Sequence, residues 1–234
     1  MEEFFLVLIP TYMPFLLEGA VVTLELSILS MFFATAIGLL VAVGRMSKFG
    51  PLKWVLEAYV EIWRNVPLIV QLLLIYFTLP EVGLTLPAFW AGILGLSLNL
   101  GAYLSEVFRA AIGSVDKGQR DAAVSIGMSR FTAFQRIVLP QALLIALPTL
   151  GGYFISLLKD CALVSFIAVN ELLRNGTILI SSTFKSMEIY IMVAMIYFVM
   201  SFVSSRIVRW LELRMTPAYL RPQALRQAAK AVAS

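Results

Sequence analysis

Apolar residues fall along this chain in long blocks with short polar breaks between them. Five stretches, 26–44, 65–80, 82–105, 137–158 and 189–205, contain no Asp, Glu, Lys or Arg. Alone or with its flanks, each supplies the roughly 20 residues that a helix needs to cross a bilayer. Strands of a membrane barrel are shorter and alternate in polarity, unlike these blocks. The pattern predicts an all-α membrane protein with five transmembrane helices, over about 19–43, 54–79, 88–112, 137–158 and 188–208.

Within those blocks the exceptions carry information. Residues 1–17 hold Pro10 and Pro14 and are expected to lie along the outer interface, too broken to span. Glu25 sits in the outer part of the first span, where an acid is either functional or an interfacial carboxylate in contact with water. In the second span Pro67 predicts a kink that frees a backbone carbonyl, and Gln71 follows one turn later. Glu61 and Arg64 stand three apart, as do Glu106 and Arg109 in the third span, spacing that allows ion pairs. The third span is rich in Gly, Ala and Ser, suited to close helix packing in lipid, and has Asn99 near its middle. The fourth span contains Gly151-Gly152, read as a flexible point, and is expected to end at Lys159-Asp160 near the outer side. The apolar piece 161–169 that follows is too short to cross and fits a re-entrant or gate segment. Polar residues inside lipid are costly, so Asn99, Asp160, Lys159, Gln71 and Glu25 are the candidate partners for a polar solute. The competing reading is that Asn99 bonds a neighbouring helix and that Lys159 and Asp160 pair with each other.

Charge decides orientation. The chain has 234 residues, 60% hydrophobic and only 14% charged, with a net charge of +4. Fifteen of its 18 basic residues, from Arg45 to Arg64, Arg109 to Arg136 and Arg206 to Lys230, fall on one side of a five-span topology. That side is expected to be cytoplasmic, placing the N-terminus outside and the C-terminus inside. The expected organisation is an external segment 1–17, a transmembrane domain 18–215 with a cytoplasmic loop 113–136, and a basic tail 216–234. The basic excess therefore points to a membrane and not to nucleic acid. With no histidine and one cysteine, thiolate or imidazole metal sites and a Cys–His nucleophile are excluded. No GxxxxGK[ST] phosphate cradle is present, so the chain cannot hydrolyse ATP by itself.

The longest amphipathic piece between spans is 121–141, DAAVSIGMSRFTAFQRIVLPQ. Asp121 is suited to a helix N-terminus, Gly127 to a bend and Ser129 to capping a second short helix. Ile126, Met128, Phe131 and Phe134 give it an apolar side. By periodicity such a segment either lies on lipid headgroups or forms a knob for another protein to grip.

The residues resemble the EAA loop of ABC-transporter permeases: Asp121-Ala122-Ala123, then Gly127, then Val138-Leu139-Pro140. The likeness extends to TLELS (23–27), YVEIWRNVPLIVQLLLIYF (59–77), LSLNLGAYLSEVFRAAIGSVDKGQ (96–119), LPQALLIALP (139–148), FISLLKDCALVS (154–165) and ELL (171–173), all similar to the polar amino acid uptake branch. It covers about residues 19–214. Two departures stand out: Asp121 where the family usually has Glu, and Cys161 where Thr or Ser usually follows the Lys-Asp pair.

The resemblance implies a type I ABC importer permease bundle in a bacterial inner membrane, multi-pass and non-catalytic. It implies a second permease subunit, identical or similar, and two ATP-binding subunits that bind ATP and Mg and receive the loop through Asp121, Ala122, Ala123, Ile126, Gly127, Met128 and Phe131. It further implies an extracytoplasmic solute-binding protein and a polar amino acid or related substrate. This chain itself is expected to hold no cofactor. The alternative kept open is a secondary transporter or channel subunit working without ATP.

Overall fold

The computed structural model describes residues 9–215; the expected tail 216–234 and residues 1–8 lie outside the described residues. The described chain is helical, without a strand. Four of its helices are long and apolar enough to cross a membrane, five when one bent pair counts as a single span. The spine of the bundle is the parallel pair α1 (Ile9–Arg45) and α4 (Ala88–Ser114). Glycines bring the two together: a Cβ on Gly38 would lie 2.8 Å from Leu104 Cβ, and one on Gly101 2.8 Å from Ile37 Cγ2. Leu26, Ala34, Leu96, Leu100, Leu104 and Phe108 fill the buried seam. At one end, here called the loop end, Glu106 receives Arg45 at 2.6 Å as well as the expected Arg109 at 2.6 Å.

Several expectations change. Residues 9–17 are not a separate interfacial piece, because α1 runs through Pro14 without interruption. Pro10 lies in the first described turn, where a missing N–H is tolerated, and Pro14 removes only one bond near the helix start. The second span is not kinked but broken: α2 (Gly50–Asn65) and α3 (Leu68–Thr78) meet at 109°. Proline forces the residue before it out of the helical region, and Val66 and Pro67 are both extended, with ψ of 134° and 136°. Glu61 accepts from Asn65 Nδ2 at 3.1 Å, while Arg64 stacks on Tyr103 and makes no ion pair among the described residues.

A further change concerns α7 (Leu139–Asp160), which ends in mid-bundle and not near the outer side. Cys161 Sγ lies 3.3 Å from Ser27 Oγ, halfway along α1. A 3₁₀ segment, Cys161–Ile167, with Cys161, Val164 and Ile167 buried, then turns at Ala168 (φ 63°). The chain leaves along α8 (Leu172–Thr183), whose Asn175 Nδ2 donates to Phe15 O at 2.8 Å near the start of α1. The piece expected at 161–169 is thus too short to cross, but it continues α7 towards α8, an additional helix, and does not turn back as a re-entrant segment. Gly151 is a packing site and not a flexible point, since a Cβ there would collide with Val208 Cγ1 of α9 (Ser186–Met215). Between α4 and α7 the loop forms α5 (Lys117–Ser125), the single turn α6 (Arg130–Ala133) and a π-helical stretch Phe134–Val138.

Candidate functional site

Where α2 breaks, the bundle encloses a cavity of about 420 Å³. The break supplies Arg64, Val66 and Pro67; the middle of α4 supplies Asn99 and Tyr103; the end of α7 supplies Tyr153, Ser156 and Asp160. The break would strand the carbonyls of the last turn of α2, and side chains take them up. Gln71 Nε2 donates to Trp63 O and Val66 O, both at 2.9 Å. Asn99 Nδ2 donates to Trp63 O and to Gln71 Oε1, both at 3.0 Å. Both amide hydrogens of Asn99 are thereby used and its Oδ1 stays available as an acceptor. The Arg64 guanidinium stacks 5.4 Å from the centroid of Tyr103, which leaves its in-plane N–H groups free for an anion. The cavity thus combines a cation, a carboxylate, an amide oxygen and aromatic faces, a set that fits a small zwitterion.

Of the residues singled out from sequence, Asn99 and Asp160 come together on this cavity. Gln71 is buried directly behind Asn99 and lines a different, largely apolar cleft. Lys159 is exposed and does not line the cavity, because neighbours in a helix point about 100° apart. Glu25 is exposed on α1, away from it. The charged residue on the cavity that sequence reasoning missed is Arg64, whose spacing from Glu61 suggested an ion pair.

A second missed residue anchors the segment that follows α7. Glu171 is fully buried and caps α8, accepting from Leu173 N at 2.9 Å, Arg174 N at 2.7 Å and Tyr197 Oη–H at 2.7 Å. Leu172 N donates to Thr23 Oγ1 at 3.2 Å, so the first three N–H groups of α8 are satisfied. The 3₁₀ segment is therefore tied to α1 at both ends, through Ser27 and Thr23, and to α9 through Tyr197. A Glu just before a helix that follows a short apolar piece was the signal available in the sequence.

The loop has the expected helix, bend and helix. Gly127 sits at φ 85°, a left-handed conformation that a side chain would strain. Ser129 caps α6, accepting from Thr132 N at 3.1 Å. The cap of α5, however, is Asp116, which accepts from Gly118 N at 2.6 Å; Asp121 lies a turn further on, exposed. Ile126 and Phe131 stand out at 76% and 68% exposure on either side of the bend, while Ala123 is buried, Ala122 exposed and Met128 half-buried. The Arg120 guanidinium donates to Ile112 O and so fastens α5 to the end of α4.

Known proteins share this architecture. Residues 34–217 match the family model described as binding-protein-dependent transport system inner membrane component. The chain is 41% identical to a probable amino-acid ABC transporter permease protein, YckA, of Bacillus subtilis (strain 168), over 79% of this chain and 81% of that protein. It is 40% identical to the L-cystine transport system permease protein TcyB of the same organism, over 88% of each. Among solved structures, one described as an amino acid ABC transporter with histidines superposes with a TM-score of 0.82 at 41% identity, covering 88% of this chain and 96% of that chain. An inward-facing MetNI methionine ABC transporter, at 23% identity and a TM-score of 0.67 over 86% of this chain and 98% of that one, shares the fold. The chain belongs to the family of binding-protein-dependent transport system inner membrane components, as a multi-pass permease subunit of an ABC importer.

Proposed function

We propose that the chain forms the translocation pathway of an ATP-driven importer of polar amino acids. The observation that carries this reading is the cavity at the α2 break, where Arg64, Asn99 and Asp160 converge. Asp160 and the Asn99 Oδ1 receive the substrate ammonium group. Arg64 takes the carboxylate, since Lys159, the cation among the candidates, does not line the cavity. Two interrupted helices, α2–α3 and α7 with its 3₁₀ continuation, meet at this point, an arrangement that other carriers use to place polar groups at mid-membrane. The names of the relatives, which refer to amino acids and cystine, support the substrate class.

The loop is the coupling element. Ile126, Gly127, Met128 and Phe131 form the exposed knob, with Ala122 beside it and Asp121 and Ala123 setting its base. Two ATP-binding subunits, carrying ATP and Mg, receive this knob on the cytoplasmic side. A second permease subunit, identical or similar, completes the pathway, and an extracytoplasmic solute-binding protein delivers substrate. Closure of the ATP-binding subunits moves α5, and Arg120 passes that movement to α4. Substrate and nucleotide must each bind the two states of the bundle differently for this to work. The family favours this reading over a carrier or channel working without ATP.

The test is uptake and substrate-stimulated ATPase activity of the reconstituted complex with its binding protein. Asn99→Ala and Asp160→Asn are expected to lower both while basal ATPase activity and complex yield persist, and Arg64→Ala to act likewise. Unchanged stimulation and unchanged uptake in all three would remove the substrate site from this cavity.

A further inference from the structure

The loop has a second face, turned away from the exposed knob, which shares only Arg120 and Asp121 with the coupling role. A cavity of about 890 Å³ lies between the loop and the bundle, and none of Ile126, Gly127, Met128 or Phe131 lines it. Helix α5 presents Lys117, Arg120, Asp121 and Val124 to this cavity, the positions i, i+3, i+4 and i+7 of one helical face. Arg130 adds a third cation from α6, against the single carboxylate of Asp121. Lys117 and Arg130 make no hydrogen bond or ion pair among the described residues, and the Nε–H of Arg120 is buried without an acceptor among them. The remaining wall is mostly apolar, with Met46, Ala133, Phe134 and Val138 beside the polar Ser125.

We propose that this cavity binds the headgroup of an anionic phospholipid from the leaflet at the loop end. Depth supports it. Met46 immediately follows the last residue of α1, and Arg120 reaches back to Ile112 near the end of α4. The cations therefore stand where the spans leave the bilayer, the depth of lipid phosphates, with apolar side chains next to them for the start of an acyl chain. Charge supports it too: three cations against one anion attract a phosphate, and arginine matches phosphate oxygens two at a time. The volume is of the order of known small-molecule sites, about 300–1,000 Å³, large enough for a glycerophosphate headgroup. An acidic protein segment would meet the same charges, but it has no use for the apolar wall. The bound lipid would brace α5 against the ends of α1 and α4, so the leaflet's composition would set how firmly the knob is held.

The experiment uses the full complex with its ATP-binding subunits, reconstituted in nanodiscs of phosphatidylcholine with increasing phosphatidylglycerol. Native mass spectrometry then reads the phosphatidylglycerol retained per complex. Lys117→Ala with Arg130→Ala is expected to lower retention by about fivefold for each charge removed, the usual worth of a basic residue at an anionic membrane surface. Lys117→Arg with Arg130→Lys keeps both charges and should retain lipid as the parent does. Lys48→Ala with Arg136→Ala removes two charges outside the cavity lining and should change nothing. The proposal is overturned if the first pair leaves retention unchanged, if the control pair lowers it equally, or if the first pair releases the ATP-binding subunits with lipid retention intact. Retention is read without transport, so it stands or falls apart from the coupling role of the knob.

Discussion

Gln71→Met isolates what holds the break in the second span. Methionine keeps most of the volume and removes every polar atom. Three hydrogen bonds disappear: two from Nε2, to Trp63 O and Val66 O, and the one that Oε1 accepts from Asn99. Trp63 O keeps its donor in Asn99, but Val66 O is left bare. Hydrogen bonds between membrane helices average about 0.6 kcal/mol each, so three amount to about 2 kcal/mol. A stranded carbonyl adds about 1 kcal/mol. The break should therefore lose about 2–3 kcal/mol, or about 5–10 °C in the unfolding midpoint of the purified complex. Tryptophan fluorescence is a suitable probe because Trp63 sits in the last turn of α2. Gln71→Glu offers no N–H to either carbonyl and should be no more stable than Gln71→Met. A midpoint within about 1 °C of the parent for both variants, with normal uptake, would show that the Gln71 bonds do not hold the break.

Three further outcomes are expected. Tyr197→Phe removes one bond to the buried Glu171 and should cost about 1 kcal/mol, whereas Glu171→Ala also uncaps α8 and should cost about 2–3 kcal/mol; thermal unfolding of the two variants checks the order. Gly127→Val has open space around it but must adopt φ near 85°, a strain of about 1–2 kcal/mol, so the complex should assemble while substrate stimulation of its ATPase falls, as it should for Asp121→Lys. Ending the chain after Met215 should preserve assembly and uptake, and loss of complex on a sizing column would make the tail a docking element.

Much of this was legible in residue order. Charge-free blocks long enough to span give the helices because lipid leaves a backbone no other way to satisfy itself. Gly127 and Ser129 announced the bend and the second cap of the loop, since both act through local backbone geometry. Asn99 and Asp160 stood out because polar groups in apolar blocks are costly. Position along a helix is also local, so the place of Gln71 one turn past Pro67 could be read directly, though its work of holding a break there could not.

What the sequence did not show depends on partners distant in the chain. Proline at 67 announces a disturbance, but whether the helix kinks or breaks by 109° depends on Asn99 and Gln71 being there to take the released carbonyls. The end of α7 looked like an outer end because a 22-residue helix is long enough to cross; only its contact with Ser27, midway along α1, shows that it stops inside. Lys159 and Asp160 are adjacent in sequence and part company because of helical rotation and the placement of the cavity on one side. Arg64 and Glu171 were hidden for the same reason: one is defined by Tyr103, the other by Tyr197, residues 39 and 26 positions away along the chain. Sequence alone determined which segments enter the membrane and where the chain bends, because burial and local backbone geometry are set residue by residue; the tertiary structure alone decided which polar groups share a cavity, because that depends on how separate helices pack against one another.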